Sequence, residues 1–203
     1  MKQALQFYPF EDLNVSARPG VDAPYFRYSM LHYLIDREFG GKVLDDLARR
    51  YLLTPSTIVT DEILLWRCTR YCQPVGARIV RYDFDRSELA MLDTSDDKCD
   101  FKDFYIRGAA WFGGHLFREA GDIIAVCTDE YECLRIAARE PGLTVMATSP
   151  CQALTADLMQ QYCTGKRVIL FAEDDEIERW RAVATTVRGI MVNITRLNDY
   201  ENR

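Results

Sequence analysis

Apolar and polar residues change rhythm about half-way along the chain. From Tyr25 to Tyr51 the spacing is helical. Leu31, Leu34 and Ile35 recur on one face, Phe39 follows, Gly40-Gly41 breaks the run, and Val43, Leu44, Leu47 and Ala48 resume it. Ahead of that, Pro9, Pro19, Gly20 and Pro24 predict an irregular lead-in over residues 1–24, and Pro55 predicts a turn after the second helix. Ile63 to Tyr71 is rich in apolar, aromatic and β-branched residues. Gln73-Pro74-Val75-Gly76 reads as a turn, and Arg78 to Tyr82 alternates charged and apolar positions, so the two runs predict a β-hairpin. Asp93 to Asp100 is a solvated acidic loop, and Phe104 to Ile106 predicts a short strand.

From Trp111 onward short apolar runs alternate with helical ones. Trp111 to Phe117 predicts a short helix, and Asp122 to Cys127 a continuous apolar strand. A helix over Glu130–Arg139 stops at Pro141-Gly142, and a strand follows over Leu143–Ala147. Helix Leu154–Tyr162 ends at Thr164-Gly165, strand Arg167–Ala172 comes next, then helix Ile177–Val187 and a last strand over Gly189–Ile194. Strands that alternate with helices in this way predict a parallel sheet with crossovers. The expected class is therefore α/β, with a smaller α+β lobe (residues 1–110, helices then hairpin) ahead of a parallel-sheet domain (residues 111–203). In such sheets the chemistry sits where the carboxyl ends of the strands meet the following loops. Those loops are Thr128-Asp129-Glu130, Thr148-Ser149-Pro150 and Glu173-Asp174-Asp175-Glu176.

Composition narrows this picture only a little. With 203 residues, 48% of them hydrophobic and 28% charged, the chain is long enough to bury a sizeable core. No apolar run reaches the roughly 18 residues of a membrane span, and the first residues show no signal-peptide pattern, so no membrane partner is expected. Seven cysteines, an odd and irregularly spaced set, read as reduced cytoplasmic thiols. Cys68 and Cys72 lack a second Cys or His pair, which argues against a structural zinc. The net charge of −6 is shared evenly, 13 basic against 16 acidic side chains in residues 1–100 and 12 against 15 in the rest. Neither half is a basic arm, so any contact with nucleic acid needs a local patch.

The acids at the strand ends are the principal candidates for chemistry. Glu173 and Asp175, after Val168-Ile169-Leu170-Phe171-Ala172, could hold a hard divalent ion through oxygens and waters, and such an ion could stabilise a phosphoryl group. Asp129 and Glu130 stand in the same relation to the preceding strand. The competing reading is structural, since acids at a helix start favour the helix dipole and cap its free amides. No Gly-rich phosphate loop, Walker lysine or Ser/His/Asp triad accompanies them. Arg67, Arg70, Arg78 and Arg81, interleaved with Trp66, Tyr71 and Tyr82, could bind single strands by charge and stacking, or could simply lie on a solvated strand face.

Three short motifs occur in a telling order. Arg78-Ile79-Val80-Arg81-Tyr82-Asp83 follows a strand that carries a tryptophan. Phe112-Gly113-Gly114-His115-Leu116-Phe117 leads into the first strand of the second half, and a motif ending in Trp180 follows the later acidic turn. This order, over roughly residues 25–185, resembles Toprim domains, and more closely a Toprim-like, primase-like family of uncharacterised proteins found with mobile elements in Bacteroidetes. The resemblance implies a site of three acids that serves magnesium-dependent strand transfer or synthesis. Carried over position by position, the first-strand glutamate falls at Thr128, which has no carboxylate. The aspartate pair falls at Glu173 and Asp175, and the glycine that usually follows falls at Glu178.

The resemblance therefore implies a nucleic-acid-associated accessory protein with a degenerate Toprim-like site and weak or no phosphoryl transfer. Magnesium, weakly held by Glu173 and Asp175, is the one cofactor expected. DNA or RNA at the hairpin arginines, and replication or mobilisation proteins, are the expected partners. Two other readings stay open: a metal-dependent nuclease or primase-like enzyme using Asp129, Glu130, Glu173 and Asp175, and a protein-binding module without nucleic acid.

Overall fold

The computed structural model describes residues 37–55, 62–83, 88–92, 110–148 and 154–201. The lead-in, the first turns of the helical run, the Asp93–Asp100 loop, the strand expected at Phe104–Ile106 and Ser149-Pro150 lie outside the described residues. The chain divides into two units, Met1–Gly108 and Ala109–Arg203.

In the first unit, helix α1 (Gly41–Arg50) begins where the sequence breaks. Gly40 has φ 85° and ψ 155°, a backbone conformation open to glycine and strained for other residues. Leu44, Leu47 and Ala48 are buried, which is the apolar stripe resumed after the break. Four antiparallel strands follow in spatial order β1-β2-β3-β4: Thr54–Pro55, Glu62–Cys68, Pro74–Asp83 and Glu88–Leu92. The expected hairpin is present as β2 and β3, with Leu65 opposite Arg78 and Ile63 opposite Val80. Its turn lies earlier than the sequence suggests, over Thr69 to Gln73. The Thr69 amide donates to the Gln73 carbonyl at 2.9 Å, and the Cys72 amide donates to Thr69 at 2.9 Å. Pro74 is not a turn residue but the first residue of β3, opposite Cys68 at a register shift, where a missing N–H is tolerated. Pro55 likewise lies in the short edge strand β1 rather than in a free turn. Trp66, fully buried, ties this edge in through an indole N–H donated to Thr54 Oγ1 at 2.8 Å.

The second unit follows the expected alternation closely. Its elements are a 3-10 helix Gly114–Arg118, β5 (Ile123–Cys127), α2 (Glu130–Arg139), β6 (Thr144–Ala147), α3 (Ala156–Cys163), β7 (Arg167–Ala172), α4 (Ile177–Thr186), β8 (Met191–Arg196) and α5 (Leu197–Glu201). The four strands are parallel, in spatial order β6-β5-β7-β8. Right-handed crossovers then place α2 on one face and α3 and α4 on the other. In keeping with that, α2 packs on β5 and β6, whereas α3 touches α4, which packs on β7 and β8.

Burial differs between the two end strands of this sheet. Strand β6 is wholly buried and β5 nearly so, as continuous apolar runs should be, while β8, with only β7 for a neighbour, alternates between exposed and half-buried residues. Trp180 is fully buried on α4, and Trp111 stacks on Tyr162 of α3 with ring centroids 5.3 Å apart. The Phe112-Gly113-Gly114 motif has a clear role. Phe112 exchanges two 3.0 Å backbone hydrogen bonds with Ala147 and so covers the edge of β6, and Gly113, at φ 74°, turns the chain into the 3-10 helix. Among the described residues no helix is long and apolar enough to cross a membrane.

Candidate functional site

Strand order β6-β5-β7-β8 reverses direction between β5 and β7, because β5 connects outward to β6 and the chain then returns to the other side of β5. Such a switch point opens a crevice at the carboxyl ends of the two strands. Here the crevice is a cleft of about 790 Å³. Thr128 and Asp129 enter it from β5, Thr148 from β6, and Glu173, Asp174, Asp175 and Glu176 from β7. Glu132 and Arg179, on α2 and α4, and Leu197 and Asn198, after β8, complete the lining. The two acid-bearing turns therefore lie side by side at one rim, where the sequence puts them.

The turns are joined directly. The Thr128 hydroxyl donates to Glu173 Oε1 at 2.7 Å across the switch point. Thr148 braces the same loop. Its amide donates to the Cys127 carbonyl at 2.9 Å, and its hydroxyl reaches the Thr128 carbonyl at 3.5 Å. Asp129 caps α2, accepting from the amides of Tyr131 at 2.7 Å and Glu132 at 3.2 Å. That is the structural role that acids at a helix start can take. Beneath the loop the buried Cys127 thiol donates to the Asp129 carbonyl at 3.3 Å. Burial, reinforced by the neighbouring Cys133 thiol, pushes Cys127 well above the usual thiol range, so it is a neutral packing group rather than a nucleophile.

Of the four remaining cleft acids three pair with cations, and the fourth, Asp175, is exposed and has no such partner among the described residues. Glu132 bonds Arg135 at 3.0 Å, Asp174 lies 3.5 Å from Arg196, and Glu176 pairs with Arg179. As arranged, the residues do not surround a divalent ion with several protein oxygens, and Asp175 is the one cleft acid without a partner. Asp129 gives its Oδ1 to backbone amides and Glu173 its Oε1 to a hydroxyl, and among the described residues no group of three or more His, Cys, Asp or Glu side chains is placed to hold a metal.

Of the expected catalytic acids, Asp129, Glu173 and Asp175 line the cleft. Glu130 does not line it. It is fully buried as the first residue of α2, because the Asp129 cap turns the chain inward at that point.

Of the four hairpin arginines, Arg67 and Arg70 have described surroundings. Arg67 is only 5% exposed, which removes it from any exposed surface. It lies on β2, a strand with neighbours on both sides whose residues 63–68 are all buried. Arg78 and Arg81 lie on β3. Arg70 stands at the hairpin turn, its guanidinium 4.9 Å from the ring centroid of the exposed Tyr71 and donating to the Tyr71 hydroxyl at 2.8 Å.

Sequence reasoning missed Glu132, Arg179 and Arg196. Asp129 and Glu132 have the spacing of a capping box, and Glu176 and Arg179 that of a helical i,i+3 pair. Arg196 ends the fourth parallel strand, whose carboxyl end belongs to the same rim as the other three.

No family model matches the sequence, and no curated protein sequence matches it. Solved structures do. The catalytic core of the E. coli primase aligns with a TM-score of 0.56 at 12% identity, over 87% of this chain and 66% of that one. The zinc-binding and RNA polymerase domains of the Aquifex aeolicus primase align with a TM-score of 0.53 at 16% identity, over 88% of this chain and 54% of that one. The fold is primase-like. This chain spans just over half of the Aquifex structure and about two thirds of the E. coli one, and at these identities the likeness is one of fold. It agrees with a Toprim-like parallel sheet in the second unit.

Proposed function

We infer that this chain is a nucleic-acid-associated accessory protein built on a primase-type fold, with a degenerate Toprim-like site and weak or no phosphoryl transfer. The observation that carries this reading is the Thr128–Glu173 hydrogen bond at the switch point. A fold shared with primase cores brings acid-bearing turns together at the rim where chemistry is expected, yet a hydroxyl stands where the resemblance calls for a carboxylate. Glu173 and Asp175 are the positions that would face a cation, and any magnesium there is held weakly. Arg70 and Tyr71 offer one guanidinium beside one exposed ring, the combination that binds single strands by charge and stacking. Kinship with proteins of mobile elements, and with it replication or mobilisation partners, rests on the order of the three sequence motifs.

The test has two arms. Gel shifts of the full chain at low salt with single-stranded DNA, duplex DNA and RNA should show binding to single strands, weakened by Arg70→Ala. Primer synthesis and cleavage assays with magnesium and with manganese should leave template and substrate unchanged or turned over slowly. Absence of binding to every nucleic acid at low salt would leave the protein-binding module as the reading. Brisk synthesis or cleavage, lost in Glu173→Gln, would make the protein an enzyme.

A further inference from the structure

We propose that the chain's own donors occupy every acid of the switch-point cleft except Asp175, and that Thr128 is the residue that keeps the cleft from holding a divalent cation tightly. The proposal rests on the primase-type reading only for the expectation that a cation belongs here. Its substance is the bonding on both sides of the cleft.

Five of the six acids that line the cleft have partners within the chain, and the exposed Asp175 is the sixth. Glu173 accepts from the Thr128 hydroxyl at 2.7 Å, and Asp129 accepts from two backbone amides. Glu132, Asp174 and Glu176 stand against Arg135, Arg196 and Arg179. These contacts differ in weight. The Asp174–Arg196 pair is about 60% exposed on each side, and such a pair contributes little and yields readily to a competing cation. Asp129 cannot leave its amides without uncapping α2. The decisive contact is the one that bridges β5 and β7. A hydroxyl donor draws the Glu173 carboxylate toward β5 with no charge of its own, occupying the gap a cation would fill between two carboxylates. Magnesium is then left with Asp175 as the one unpaired carboxylate and otherwise with its own waters, a weak hold for an ion that is usually bound by one or two carboxylates together with a substrate's phosphates.

A carboxylate at position 128 would reverse this. It would repel Glu173 across the same short gap and leave two oxygen donors, one from each strand, facing a common point. The substitution T128E thus turns a self-satisfied contact into an unsatisfied one that a divalent ion resolves.

The test is calorimetric titration of magnesium chloride and of manganese chloride into the full chain at constant ionic strength, paired with thermal unfolding. Wild type should show no saturable binding tighter than about 1 mM and no rise in Tm beyond a sodium chloride control. T128E should bind about tenfold more tightly or better and gain stability in proportion to the ion added. Adding Glu173→Gln to T128E should abolish the gain. Saturable wild-type binding well below that concentration overturns the proposal, as does a folded T128E that binds no more tightly than wild type. Should T128E fail to fold, Thr128→Asp, one methylene shorter, carries the same expectation, and the wild-type titration stands by itself. Gel shifts without added metal report on nucleic-acid binding separately, so loss of that reading leaves this one intact.

Discussion

Thr128 and Asp129 are adjacent, both polar and both at the rim, yet their side chains do different work. Asp129 satisfies amides that helix α2 would otherwise leave exposed to a crowded loop. Replacing it with alanine should cost about 1 kcal/mol in urea unfolding, whereas asparagine, which keeps a capping oxygen, should cost only a few tenths. Thr128 instead bridges two strands. Because that bond is exposed, its net contribution is that of an ordinary hydrogen bond, about 0.5–1.5 kcal/mol. A double-mutant cycle of Thr128→Val with Glu173→Ala should return a coupling energy in that range, and a coupling near zero would mean that the two turns are held together by the sheet alone. At this scale the sequence was only partly legible. It marked the acids of both turns but gave no sign that Glu130, next to a capping aspartate, would be carried inward while Glu132, two residues on, would face the cleft. Helical direction decides that, and it depends on where the cap falls.

The elements of the second unit were legible almost to the residue, because each is a short apolar run bounded by a cap or a glycine. Helix α2 and strand β7 have the expected bounds. The first unit was harder. Its β2 is buried along residues 63–68, so the arginine at position 67 did not mark an exposed face, and the strand start at Pro74 mimics a turn. Short elements such as β1 and α5 carry too few residues to show a period. Burial at the element scale also sets thiol chemistry. At the end of α3, desolvation pushes the Cys163 thiol from 9.0 up to about 12. Since the unfolded chain then releases this proton at lower pH than the folded one, the folded state binds more protons above pH 9. The stability Cys163 contributes is complete below that value and falls as pH rises towards 12. Iodoacetamide at pH 8.5 should accordingly label Cys72, which is exposed, and spare Cys163 and Cys68 until the protein unfolds, with mass spectrometry of the peptides as the readout.

Charge belongs to the whole molecule, and it limits how nucleic acid can be bound. A chain of net charge −6, evenly spread over its halves, repels a phosphate backbone at long range, so association must rely on few and local contacts. The structure narrows them further, burying Arg67 and leaving Arg70 beside Tyr71 at the hairpin turn. Affinity for single strands should then depend on salt only gently, because each neutralised phosphate contributes a slope of about −0.7 in log K against log salt. Arg70→Ala should flatten the slope by about that much, while Tyr71→Ala should weaken binding without changing it, because stacking releases no counterions. Anisotropy titrations of a labelled oligothymidine from 20 to 200 mM salt separate the two. A steep slope, on the order of −5 or beyond, would require a basic track elsewhere in the chain, and with it a different interface from the hairpin turn.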